Sequence, residues 1–153
     1  MTYVGSNVTA CSNVTATYHQ CNGASPSTGS DIPILGTSQI SGVTISSSDA
    51  VLSSGASYYI ECSGVKYAYN SVAFVQWYNQ TTSAYVGQGS YWMNLPDRQT
   101  RVTRWVCRAL ILASDFGANS TMTLAPRTVS LSGGGSYALS GYTEPHVRIL
   151  RIT

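Results

Sequence analysis

The stretch that decides the fold reads Gly55-Ala56-Ser57-Tyr58-Tyr59-Ile60-Glu61-Cys62-Ser63-Gly64-Val65-Lys66-Tyr67-Ala68-Tyr69, then Asn70-Ser71, then Val72-Ala73-Phe74-Val75-Gln76-Trp77-Tyr78. β-branched and aromatic residues fill half of residues 58–69 and most of 72–78, and such residues fit a pleated, half-buried surface. Asn70-Ser71 has turn chemistry. The reading is two long strands, 58–69 and 72–78, joined by a tight turn. Successive side chains on a strand point to opposite faces. Tyr58, Ile60 and Cys62 therefore share one face, and Ala73, Val75 and Trp77 share another.

Working toward the N-terminus, residues 53–55 are a turn and residues 46–49 close an earlier strand marked by Ile40, Val43 and Ile45. Residues 32–35 are a short apolar run ended by Gly36 and read as the first strand after residue 31. Working toward the C-terminus, residues 79–83 turn and 85–93 form a strand, which Asn94-Leu95-Pro96-Asp97 breaks. Residues 101–112 form another long strand and 115–120 turn. Residues 121–124 and 128–131 read as two strands either side of Pro126, because proline cannot donate to a central ladder. Gly133 to Gly135 form a loop, and 144–152 is the last strand, with Val147 and Ile149 opposite Arg148 and Leu150. No window sustains a helical period. About eight strands at this spacing predict an antiparallel β-sandwich or jelly roll over 31–153.

Residues 1–30 are polar and are read as an extended N-terminal arm. Ser6-Asn7-Val8-Thr9-Ala10 recurs as Ser12-Asn13-Val14-Thr15-Ala16, and the even offset places both copies on one face. Val4, Val8 and Val14 would line that face, which suits docking on a neighbouring subunit or assembly.

Composition narrows the function. The chain has 153 residues, the size of one domain, and only 9% are charged. Net charge is +2, carried almost wholly by Arg since Lys66 is the single lysine. That is too mild for a nucleic-acid protein. No apolar run is long enough to span a membrane, and no basic-then-apolar leader opens the chain. Folding in a cytoplasm is expected, with Cys11, Cys21, Cys62 and Cys107 as free thiols. The sequons at Asn7, Asn13, Asn79 and Asn119 are then expected to carry no glycan.

Catalytic chemistry finds little support. His19 and His146 have no nucleophile elbow beside them. The carboxylates Asp31, Asp49, Glu61, Asp97, Asp115 and Glu144 are scattered, with the aspartates in or near turns that they can cap. Cys11, His19 and Cys21 could offer three zinc ligands, but a fourth and any CxxC pattern are missing. No phosphate-cradling loop occurs. The expectation is no enzyme, no metal and no cofactor.

Four stretches, in order, resemble one family. Residues 55–61 resemble a "G-x-Y-x-I-E" strand opening. Val75-Gln76-Trp77-Tyr78-Asn79 resembles "A-R-L-Y-N", with Trp77 at the Leu position. Val86-Gly87-Gln88-Gly89-Ser90-Tyr91 resembles "L-G-T-S-E-Y". Val147-Arg148-Ile149-Leu150-Arg151-Ile152 resembles a terminal "V-E-I-W-K-I". These are patterns of bacteriophage virion proteins with a complement- or tumour-necrosis-factor-like (TNF-like) jelly roll. The resemblance covers roughly 36–153 and departs over 94–142.

The resemblance implies a homotrimer packed about a three-fold axis through an aromatic and aliphatic sheet. It implies a virion-surface protein assembled in the host cytoplasm. With only the arm ahead of the jelly roll, a capsid decoration (cement) protein bound to the major capsid protein or other virion proteins is expected. The alternative is a tail or head fibre tip that recognises a host-surface glycan or protein. A free lectin-like or signalling jelly roll is a third reading. Two residue groups are candidate contacts. Arg98, Arg101, Arg104 and Arg108 could meet an acidic partner or a neighbouring protomer. Tyr85, Tyr91, Trp92 and Tyr137 are loop-proximal aromatics suited to host recognition.

Overall fold

The computed structural model describes residues 14–21, 27–38, 40–68, 72–93, 101–132 and 146–153. They form β1 (Val14–Gln20), β2 (Val43–Ser46), β3 (Asp49–Ser53), β4 (Ser57–Ala68), β5 (Val72–Asn79), β6 (Ala84–Met93), β7 (Arg101–Ile111), β8 (Thr121–Ser132) and β9 (His146–Ile152), with one 3-10 turn at Ala113–Phe116. The strands make one antiparallel sheet in the order β1-β9-β4-β7-β6-β5-β8-β3-β2. The sheet curls, so that β1-β9-β4-β7 faces β5-β8-β3-β2 across a single core. Sheet twist drives such curling when many strands share one buried face. The outcome is an all-β jelly-roll architecture.

Strand parity sets the core. Tyr58, Ile60, Cys62, Ala73, Val75, Trp77, Val147 and Ile149 are all fully buried. The Trp77 indole N–H donates to the carbonyl of Cys107 at 3.3 Å, tying one layer to the other. The Tyr58 hydroxyl donates at 2.8 Å to the carbonyl of Ser53, with that of Gly42 at 3.1 Å sharing the proton. A buried tyrosine thus has its polar end satisfied.

β6 joins the layers through a wide bulge. Val75 pairs with Ser90 and Trp77 with Val86, so Gly87, Gln88 and Gly89 lie opposite the single residue Gln76. Gln88 pairs with Arg108 of β7. A Cβ on Gly87 would fall 2.1 Å from the Arg108 carbonyl oxygen, and one on Gly89 would fall 2.1 Å from the Phe74 ring. Only glycine permits both approaches.

Three expectations change. Residues 121–124 and 128–131 are not two strands, because β8 runs unbroken through Pro126 and pairs it with Trp77. The reason is the side its nitrogen faces. Ile32 N–H donates to the Pro126 carbonyl at 2.7 Å, and Thr128 N–H donates to the Ser30 carbonyl at 3.0 Å. A residue's N and C=O point to the same side of a strand. Pro126 nitrogen therefore faces residues 30–32, where the β3 ladder has already ended at Leu124. The run at 32–35 makes only an isolated bridge, between Ile34 and Cys21, rather than a strand.

Part of the expected arm also belongs to the sheet. Residues 14–20 are β1, paired along their length with β9, and Cys21 is buried in the core. Residues 1–13 and 22–26, the Asn70-Ser71 turn and the Gly133–Gly135 loop lie outside the described residues.

Candidate interaction surface

The outward face of β1-β9-β4-β7 is built by the same alternation that fills the core. Thr17 and His19 of β1 are buried, so Ala16 and Tyr18 point out. On β9 the outward residues are His146, Arg148, Leu150 and Ile152. On β4 they are Ser57, Tyr59, Glu61 and Ser63. On β7 they are Val106, Arg108 and Leu110. Antiparallel register aligns them in rows across the sheet. Tyr18, Arg148, Glu61 and Arg108 form one row. Ala16, Leu150, Tyr59 and Leu110 form the next.

The first row is electrostatic. Arg108 Nε donates to Glu61 Oε2 at 3.1 Å, and the Tyr59 hydroxyl donates to the same oxygen at 3.0 Å. Arg148 lies on the other side of Glu61. Its Nε is buried and lacks a hydrogen-bond partner. Burial, then the Glu61 carboxylate, push the Tyr59 phenol above its ordinary pKa. The Arg108 side chain is half exposed, so this pair contributes about 1 kcal/mol at most.

The second row is apolar and open. Leu110 is 56% exposed and Tyr18, at the edge of the first row, 66%. With Leu150 and Ile152 they make a contiguous apolar band beside the charged row. Strand propensity does not require large exposed side chains here, and contiguous patches of this kind mark interaction sites.

The predicted contact residues separate. Arg108 lies on this face. Arg101 and Arg104 are on β7, opposite Ala68 and Val65 of β4, with side chains outside the described residues. Arg98 and Tyr137 are outside them altogether. Tyr85 and Tyr91 lie on β6, opposite Tyr78 and Phe74 of β5, on the outward face of the other layer. Trp92 pairs with Ala73, its side chain again outside the described residues. Sequence reading missed Tyr18, Tyr59, Leu110 and Leu150. The signal was parity, since Leu110 follows Arg108 by two and Tyr59 precedes Glu61 by two.

Other chemistry-bearing groups have structural partners. Arg127 binds both oxygens of Asp31, and Gln80 Nε2 donates to Asp31 and Asp49 at 3.2 and 3.0 Å. Asp115 accepts the Leu112 N–H at 2.8 Å. Asp97 and Glu144 are outside the described residues. His146 contacts the Ser63 hydroxyl at 3.1 Å. His19 contacts the Thr17 hydroxyl at 3.0 Å, and burial lowers its pKa. Cys21, Cys62 and Cys107 are buried free thiols. Burial, then the neighbouring Cys107 and Cys21, push the Cys62 thiol well up, so it stays protonated. Among the described residues no His/Cys/Asp/Glu group could hold a metal, and Cys11 lies outside them. A cleft of about 390 Å³ opens beside Val86, Gly87, Leu110 and Met122. The polar groups at its rim serve the backbone: Asn79 Oδ1 accepts the N–H groups of Thr81 and Thr82.

No family model and no curated protein sequence matches the chain. Among solved structures, it is similar to the Eiger TNF protein of S. frugiperda. The TM-score is 0.61 at 9% identity, covering 92% of this chain and 94% of that one. The likeness is one of fold, a TNF-like jelly roll.

Proposed function

We propose that this chain is a non-enzymatic structural protein that self-associates as a homotrimer and decorates a bacteriophage capsid. The observation that carries self-association is the open apolar band of Tyr18, Leu110, Leu150 and Ile152 beside the Arg148–Glu61–Arg108 row. Burying that band removes apolar area from water. Closed symmetric assembly is the common solution for such a face. The TNF-like fold and the phage-like strand motifs support the virion setting. A trimer would stabilise a shell by contacting several capsid subunits at once. The work is done by binding and symmetry, without covalent chemistry.

Light scattering on the purified protein tests the first step. A mass of three chains is expected, and Leu110→Asp should yield a folded monomer. A monomeric wild type at high concentration ends the trimer reading. Copy number per particle, by quantitative mass spectrometry, tests the second. Hundreds of copies match shell decoration, whereas a few to a few tens match fibres, on the general logic of symmetric assembly.

The second reading is a fibre tip that recognises a host-surface glycan or protein. One observation favours it: Tyr91 and Tyr85 are 64% and 43% exposed on the layer opposite the apolar band.

A further inference from the structure

The outward face of β5 and its neighbours carries a strip that the self-association reading leaves unused. Phe74, Gln76 and Tyr78 point out from β5, alternating with buried Ala73, Val75 and Trp77. Tyr91 stacks on Phe74 with ring centroids 4.4 Å apart. Tyr85 meets Tyr78 edge-on at 5.1 Å. Arg127 lies 3.6 Å over the Tyr78 ring, and Asp31 holds its guanidinium by two hydrogen bonds. The two aromatic pairs stand four residues apart on β5, or roughly 13 Å at the usual strand rise.

Between the pairs, Gln76 is flanked by the glycine-lined bulge of β6 on one side and by Arg127 of β8 on the other. The Gly87–Gly89 bulge lies opposite Gln76, with no side chain at either glycine. Gln76 Nε2 donates to the Gly87 carbonyl at 2.8 Å, which fixes the amide plane and leaves its oxygen as an acceptor. The Phe74 ring rests on Gly89, where a Cβ would collide with it. Both pairs are thus held by packing, on strands rather than on loops.

We infer that this strip is a binding site for a neutral oligosaccharide of two or three sugar units. The two pairs present aromatic edges and faces to the C–H faces of terminal sugars, and Gln76 receives a hydroxyl between them. Charge points the same way, because Arg127 is already neutralised by Asp31 and leaves no free cation among the described residues of the strip for an anionic ligand. Side-chain type argues against a protein partner. Among the described residues, the large exposed apolar side chains on this layer are tyrosines, while Leu110 and Ile152 are on the opposite layer and Leu35 and Leu112 in connections. Planar rings flanking a fixed amide suit a polyhydroxylated ligand, where aromatic and hydrogen-bonding groups fix orientation. The inference rests on the recognition reading for its biological role, and stands apart from the trimer.

The test is a glycan array of neutral and anionic oligosaccharides probed with the full chain, followed by titration calorimetry on the best neutral ligand. Selective binding to neutral glycans is expected. Tyr91→Ala and Tyr85→Ala should each weaken it about tenfold, the upper range for a single aromatic contact. Tyr91→Phe should retain most of it. Both tyrosines are exposed, so unchanged melting temperatures will show that the variants fold. No binding to any neutral glycan, binding to anionic glycans alone, or equal affinity in the double alanine variant overturns the site. Particle adsorption to host cells separates the two claims. If sugar binding is lost in Tyr91→Ala and adsorption is not, the site stands and the recognition reading fails.

Discussion

At the scale of single residues, Gly55, between β3 and β4, and the two glycines of β6 show how much the side chain they lack decides. Gly55 has φ of +88° and open space around it, so Gly55→Ala pays only for a left-handed backbone, about 1 kcal/mol. Gly89→Ala adds a clash with the Phe74 ring, which can swing aside, and should cost about 1–3 kcal/mol. Gly87→Ala meets the backbone carbonyl of Arg108 at 2.1 Å and also has positive φ. It should cost the most, since neither obstacle can move. Urea denaturation of the three variants checks the order 87, 89, 55, and an equal loss at 87 and 89 contradicts it. His19 gives a pH signature. Burial lowers its folded pKa below 6.5, so the unfolded chain binds the proton first. Stability is therefore fully present above about pH 6.5 and falls as pH drops toward the lowered folded value. His19→Gln should flatten that limb of a stability-versus-pH curve, and an unchanged slope would assign it elsewhere. Asp49 acts oppositely at lower pH, because burial raises its pKa. Its ionisation costs stability as pH rises through its titration, and Asp49→Asn should raise the melting temperature at neutral pH.

At the scale of elements, parity was the legible signal. Tyr58/Ile60/Cys62 on β4, Ala73/Val75/Trp77 on β5 and Val147/Ile149 on β9 could be assigned to the core because each strand has one dry and one wet face. β1 was not legible. Its residues Val14–Gln20 are mostly polar, and they form a strand because β9 offers an open edge to pair with. Pairing partners far along the chain leave no mark on local propensity. The outward apolar band was hidden for the same reason, since Tyr18, Leu150, Tyr59 and Leu110 become neighbours only through register. Pro126 misled because the rule against central proline concerns which side its nitrogen faces. That side meets residues 30–32, where the missing donor breaks no ladder bond. Pro126→Ala should therefore leave the fold intact and change stability by less than about 1 kcal/mol, the entropy effect of losing a proline in the unfolded chain. A loss of several kcal/mol, or a change in the far-ultraviolet spectrum, would show that the ring itself is needed in the core.

At the scale of the whole molecule, the two outward faces make opposite demands on solvent. The face of β1-β9-β4-β7 joins an apolar band to a charged row, and salt distinguishes their contributions to assembly. Exposed ion pairs are screened at high ionic strength, because the Debye length falls to about 3 Å at 1 M. Apolar burial is instead strengthened by excluded salts such as sulfate. Arg108 and Glu61 already pair within one chain, so the proposed self-association would gain little from that bond and depend chiefly on Tyr18, Leu110, Leu150 and Ile152. The proposed trimer should then persist in 1 M sodium chloride and tighten in sodium sulfate, measured by light scattering across a dilution series. Because assembly stabilises only the folded chain, the melting temperature should rise with protein concentration. Leu110→Asp should abolish that dependence while leaving the dilute-limit melting temperature close to wild type, since Leu110 is solvent-facing in the single chain. Dissociation in sodium chloride would transfer the interface energy to the Arg148–Glu61–Arg108 row, and Arg148→Gln would then become the variant that separates the chains.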